Sequence, residues 1–295
     1  MSTLLPTGTQ YEISSGRYRA VITEVGATCR SLEVDGRQWL WTFPKDGAPA
    51  GSQGRQLLPW PNRIRDGRYT FEGVTQQLPI TEVPRHTALH GLNEGFAWQL
   101  VTHTDTLVVQ RHTFYPEAGW PGTLTATLSH SVDDDGLLVR IHVTNDGATP
   151  LPYGYGVHPY FAFDNVDDVT LELPFASELR VDEDRLLPIG LTPTSHGKDF
   201  RTPRPVGATV FDTAFTDPTT PTWHVRLTGP QHSIDVWGGD ALNWVQVFTR
   251  PQRDAIAVEP MTCGPDAFNE GPTHDDLIVL AAGASHTAHW GVRAG

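Results

Sequence analysis

Between residues 17 and 292 the chain returns again and again to short runs in which apolar and polar side chains alternate. Tyr18, Ala20 and Ile22 share one face, with Arg19, Val21 and Thr23 on the other. The same period recurs over 69–72, 98–102, 106–114, 124–131 and 137–143, then over 169–173, 223–227, 233–237 and 244–248. It continues over 255–258, 277–280 and 286–292. Successive side chains of an extended backbone point to opposite faces, so runs of this kind suit half-buried strands. Asp35-Gly36, Asp66-Gly67, Asp135-Gly136 and Asp146-Gly147 supply turn signals between them. No window of a dozen residues carries a 3.6-residue apolar period. The chain reads as all-β, with about fifteen antiparallel strands in two large stacked sheets, a β-sandwich.

No shift in composition and no fixed repeat divides the chain, so residues 1–295 are read as a single domain, with loops over 44–56 and 193–208. The formal charge of −13 argues against nucleic acid and against an anionic membrane surface. A neutral small molecule fits such a chain more easily. Cys29 and Cys263 form neither a disulfide framework nor a zinc spacing, and a reducing compartment is the default. Residues 1–10 carry no basic and apolar leader pattern. Nowhere is there an apolar run of about 18 residues. The expectation is a soluble cytoplasmic protein, a monomer or homodimer, with no metal and no cofactor.

Against this background a few polar residues stand in apolar company. In Gly154-Tyr155-Gly156-Val157-His158-Pro159-Tyr160-Phe161 a histidine precedes proline, which confines it to extended geometry. Glu259 precedes Pro260 at what reads as the end of an apolar strand. A carboxylate there is costly if buried unpaired, so it belongs either in solvent or in a site that uses it. An imidazole and a carboxylate held this way form a candidate acid–base pair. Arg63, beside Asn62 and near Trp60, offers a fork of donors for oxygens, although an arginine paired with a carboxylate under a loop is the plainer alternative. His90, in Leu89-His90-Gly91, faces a cleft or is a hydrogen-bonded core residue. His86 and His90 have helical metal spacing, but Pro84 and Gly91 crowd the segment and no third ligand follows. Asp212 sits between aromatics and is a turn residue or a hydroxyl acceptor. Gln246 shares a strand face with Trp244 and Phe248, as a core amide or a pocket residue. No serine elbow, phosphate loop or dinucleotide fingerprint appears.

Asn62-Arg63-Ile64, Leu89-His90-Gly91, Gly156-Val157-His158-Pro159-Tyr160-Phe161 and Val258-Glu259-Pro260, in that order, resemble the aldose 1-epimerases, or galactose mutarotases. The resemblance runs from about residue 26 to near the end of the chain and is nearest to the shorter bacterial branch. It implies a galactose mutarotase-like supersandwich that interconverts the α and β anomers of a free aldose without a cofactor. It further implies that Glu259 is the base at the C1 hydroxyl, that His158 is the acid at the ring oxygen, and that His90 lies near the reacting oxygens. Arg63, supported by Asn62, would hold sugar hydroxyls, with Asp212 and Gln246 as further contacts. Where many members read Asp-His, this chain reads Asp212-Thr213. Two other functions stay open: a hexose-6-phosphate 1-epimerase, for which Arg55, Arg63, Arg65 and Arg85 are the candidate cations, and a carbohydrate binder without turnover.

Overall fold

The computed structural model describes residues 4–195 and 197–295. The first three residues of the leader reading and residue 196 of the 193–208 loop lie outside them. The alternating runs form antiparallel sheets as the sequence pattern requires. The largest is ordered Gln99–His103, Leu107–Phe114, Leu124–Asp133, Gly136–Asn145, Ser285–Ala294, Ser233–Gly238, Trp223–Thr228, Thr170–Glu172 and Arg204–Pro205. A second sheet runs Pro188–Pro193, Phe175–Val181, Asp212–Pro218, Trp244–Thr249, Ala255–Met261, Gly156–Val157 and Gln56–Leu57, with Tyr160–Ala162 also paired to Ala255–Met261. A smaller sheet is built from Gln10–Ser15, Tyr18–Thr23, Cys29–Val34 and Arg37–Gln38. Asp35 and Gly36 turn between its last two strands with φ of 51° and 76°, the left-handed pair that a tight hairpin needs.

Among the described residues the strands number twenty-seven, more than the expected fifteen. Several are two or three residues long and give no readable period. Phe175–Val181 and Asp212–Pro218 show no readable alternation: Ala176, Ser177 and Glu178 are all half-buried in a row, and Thr213 to Thr216 are all buried.

The second sheet is covered on both faces. Val245, Val247, Ile256 and Val258 turn inward to a contiguous apolar core that extends from Tyr11 to Val292. The alternate positions Gln246, Phe248, Ala257 and Glu259 turn the other way, where Tyr160, Ala255 and Ala257 form a small apolar floor. All seven residues of Ala255–Met261 are therefore buried. Period two thus delivers branched aliphatic side chains to the core and, on the opposite face, sets the polar Gln246 and Glu259 beside Phe248 and Ala257.

Candidate active site

Glu259 is not at a strand end, as the sequence reading had it, but fifth of seven residues in Ala255–Met261. Proline is tolerated after it because the neighbouring ladder is broken there. Gly156 pairs with Met261 and Tyr160 with Ala257, which leaves His158 and Pro159 as an irregular step opposite 258–260. The step is held from the other side: the His158 amide donates to the Arg55 carbonyl at 2.9 Å, and the Gly54 amide donates to the His158 carbonyl at 2.9 Å. Behind it, the buried Tyr155 hydroxyl donates to Gln56 at 2.8 Å and accepts from the Trp290 indole at 3.1 Å. Gly156 is required because a Cβ there would lie 2.7 Å from Pro61.

The result is a direct meeting of the two ionisable groups. His158 Nε2 lies 3.3 Å from Glu259 Oε1, and both side chains are buried. Burial pushes the Glu259 carboxyl well above its ordinary range, and Asp212 nearby adds to the rise while Arg63 opposes it. Burial likewise presses His158 down to about 3. Removing an ion from water costs several kcal/mol, so burial disfavours the charged form of both groups. Glu259 Oε2 and His158 Nδ1 have no hydrogen-bond partner. The His158 ring stacks on Tyr160 at 4.7 Å and meets the His90 ring edge-on at 5.4 Å.

A two-stranded sheet, Arg63–Arg65 paired antiparallel with Thr87–Leu89, carries the opposite wall. Asn62 and His90 flank it with left-handed φ of 56° and 64° and are locked together. The His90 amide donates to the Asn62 carbonyl at 2.9 Å, and the Asn62 amide donates to His90 Nδ1 at 3.2 Å. That bond leaves the ring proton on Nε2, and burial together with the neighbouring cations keeps His90 neutral. Gly91 follows at φ 76°, where a Cβ would come within 1.9 Å of the Leu58 carbonyl oxygen.

Arg63 turns out to satisfy both of its sequence readings. Its Nε and Nη2 donate to the two oxygens of Glu82 at 2.8 and 3.1 Å, so it is indeed carboxylate-paired. It also lines the cavity, with Nη1 left over beside Asn62 Oδ1 at 3.5 Å. Glu82 itself escaped the sequence reading: it precedes a short 3-10 turn and has no apolar frame to mark it. Thr87 and Arg85 also donate to it, at 2.7 and 3.0 Å, and its pKa is lowered by these donors against the cost of burial. Gln246, opposite Glu259 in the register, donates to Asp212 at 2.7 Å.

Asn62, Arg63, His90, His158, Asp212, Gln246 and Glu259 all line one cavity of about 130 Å³, completed by Leu89, Tyr160 and Phe248. Tyr160 was legible within the histidine motif but carried no assigned part. His86 stands apart, 3.2 Å from Asp66 at the surface. Chemically the cavity offers an imidazole and a carboxyl in direct contact, a second histidine ring, a half-engaged guanidinium and an aromatic floor. Among the described residues no helix is long and apolar enough to cross a membrane.

Residues 9–293 match the family model described as aldose 1-epimerase. The chain is 33% identical over 291 residues to YihR of Escherichia coli K12, an uncharacterized protein, covering 95% of this chain and 91% of that one. It is 27% identical to human galactose mutarotase over 229 residues, 68% of this chain and 64% of the other. Two solved structures share the fold. A galactose mutarotase-like protein from Clostridium acetobutylicum aligns with a TM-score of 0.85 at 17% identity, covering 96% of this chain and 94% of its own. An aldose epimerase homologue from C. elegans aligns at 0.83 and 19%, covering 97% and 99%.

Proposed function

The chain belongs to the aldose 1-epimerase family, and from that premise we propose that it interconverts the α and β anomers of a free aldose. The observation that carries the reading is the 3.3 Å contact between His158 Nε2 and Glu259 Oε1 inside a cavity that Asn62, Arg63, Asp212 and Gln246 also line. Burial favours the carboxyl form of Glu259 and the neutral imidazole of His158. Transfer across the contact gives carboxylate and imidazolium without uptake from solvent, which is the pairing that ring opening needs.

The carboxylate of Glu259 then removes the proton from O1. The electron pair forms the C1–O1 double bond as the bond from C1 to the ring oxygen breaks, and His158 Nε2–H protonates that oxygen. Rotation about C1–C2 presents the other face of the carbonyl. On closure the hydroxyl attacks C1, returns its proton to His158, and O1 takes the proton back from Glu259. Every proton that leaves a group returns to it, so no cofactor enters the balance. His90, a neutral donor through Nε2, stabilises charge on the reacting oxygens, and Arg63 Nη1, Asp212 and Gln246 hold the remaining hydroxyls.

Polarimetry of freshly dissolved α-D-glucose and α-D-galactose tests the reading: rotation should reach equilibrium at a rate proportional to protein concentration. Rates equal to buffer across a panel of aldoses contradict it. A non-catalytic binder gains no support, since binding requires no buried proton-sharing pair.

A further inference from the structure

The catalytic cavity shares four of its side chains with a second, much smaller space. Asn62, Arg63, Asp212 and Gln246 line both, and the remainder of the smaller one is apolar: Leu179, Val181, Leu186, Ala214 and Pro265. Its volume is about 10 Å³, room for one group the size of a water or a methyl. Leu179 and Ala214 are buried and belong, with Trp244 and Met261, to a small apolar cluster on which Val181 packs. The sheet register sets Glu259, Gln246 and Ala214 side by side on three successive strands. The line thus runs from the catalytic carboxyl past the amide to the niche, and Ala214 puts only a methyl at its end.

Leu186 lines this niche from a strained backbone. Its φ is 56°, and among the described residues it is the only large apolar side chain in the left-handed region. The loop that imposes this conformation is clamped twice. The Asp182 carboxylate accepts the amides of Asp184, Arg185 and Leu187 at 3.1, 2.6 and 2.9 Å. Arg185 in turn donates to the Arg85 carbonyl at 2.9 Å and to Asp66 at 2.7 Å. Strain held this firmly beside a binding cavity points to a contact with a ligand.

The polar rim narrows what that ligand is. Asp212 Oδ1 accepts from Gln246, which leaves Oδ2 as an acceptor, and Arg63 Nη1 is a loosely engaged donor. An acceptor and a donor followed by room for one methyl match the N–H, the carbonyl and the methyl of an acetamido group. Covalent order gives its place on the sugar. With O1 at Glu259 and the ring oxygen at His158, the third substituent of C1 is C2, which leaves on the side away from the histidine. We propose that the substrate is a 2-acetamido-2-deoxyaldohexose, with its amide between Asp212 and Arg63, its methyl in the niche, and Leu186 as the residue that selects for it. Such a sugar is neutral, as suits a chain of net charge −13, and a plain 2-hydroxyl has no atom to fill the niche.

This proposal rests on the mutarotase reading, and the test keeps the two apart. Catalysed mutarotation of N-acetylglucosamine, glucose and 2-deoxyglucose is followed for the intact chain, L186G and A214V, while saturation-transfer NMR records which ligand protons touch the protein. The expected result is a kcat/KM for N-acetylglucosamine at least tenfold above that for glucose, with the acetyl methyl the most strongly saturated group. Glycine adopts the left-handed conformation without strain, so L186G should keep or raise the thermal midpoint and lower the ratio of N-acetylglucosamine to glucose turnover at least fivefold. A214V narrows the niche and should lower the same ratio. Glucose turnover without that preference, or equal losses on both sugars in the two variants, overturns the proposal alone. Turnover of 2-deoxyglucose equal to that of N-acetylglucosamine overturns the acetamido assignment. No turnover of any sugar with the methyl still saturated overturns the mutarotase reading and leaves the niche; no turnover and no saturation overturns both.

Discussion

His158 and Glu259 both violate the rule that ionisable groups stay in water, and each is made tolerable by the other. Their titrations belong to the pair rather than to either residue. Because burial holds His158 down near 3 and Glu259 up, kcat/KM should stay level through the range where an ordinary histidine titrates. The acid limb should fall well below 6.5, and a pH–rate profile with an acid limb at 6–7 would count against the shared-proton account. Glu82 makes a second prediction at this scale. It fixes two of the three guanidinium nitrogens of Arg63, so its part is to aim Nη1. In E82Q the fork loses its charge-assisted partner, and KM should rise about tenfold, the size of one such hydrogen bond, with kcat changed far less. In an R63K background the same substitution should add little. Equal falls in kcat for E82Q and R63K/E82Q, with KM unmoved, would contradict the positioning role.

At the scale of elements, the site exists because two irregularities face each other across a regular sheet. One is the step at 158–159; the other is the left-handed pair His90-Gly91 at the end of a three-residue strand. G91A forces a methyl against the Leu58 carbonyl and should cost about 2 kcal/mol or more. The thermal midpoint should fall and KM should rise together, because His90 moves with Gly91; an unchanged midpoint would show that the turn is slack. The same contrast explains what could be read in advance. Strands such as Leu124–Asp133 and Gly136–Asn145 announce themselves because one face is wet and the other dry. The sequence marks Glu259 as out of place but points to a strand end, since nothing in Val258-Glu259-Pro260 reveals that the adjacent ladder breaks to admit a proline. Glu82 was invisible because its importance lies in a partner nineteen positions away, and distance in sequence carries no pattern. The two-residue strands at 56–57 and 156–157, which seat His158, are too short to have a period at all.

Across the whole molecule, the core holds groups outside the candidate cavity, and they set its response to acid. His130 is fully buried, pressed down to about 3 by desolvation, and its Nδ1 has no partner. Between that value and about 6.5 the unfolded chain binds a proton that the folded one refuses. Stability is therefore complete above 6.5 and declines as pH falls toward 3, by about 1.4 kcal/mol per pH unit for such a group. Glu259 acts in the opposite sense: its folded pKa is raised, so its contribution is present in acid and fades as pH climbs past the ordinary carboxylate range. H130L should flatten the acid side of the urea-midpoint curve by about one proton's share, and an acid limb as steep as that of the unaltered chain would contradict this assignment. The fold as a whole brings residues 158 and 259 to 3.3 Å with both side chains buried. Whether they work as one device is tested most directly by catalysed mutarotation in E259Q, H158N and the double variant, with sugar affinity measured alongside. Each single change should lower kcat by about 10² to 10⁴ while affinity holds, and the double variant should lose no more than the worse single one. Losses that multiply, or a single variant that keeps the full rate, would show that no proton is shared.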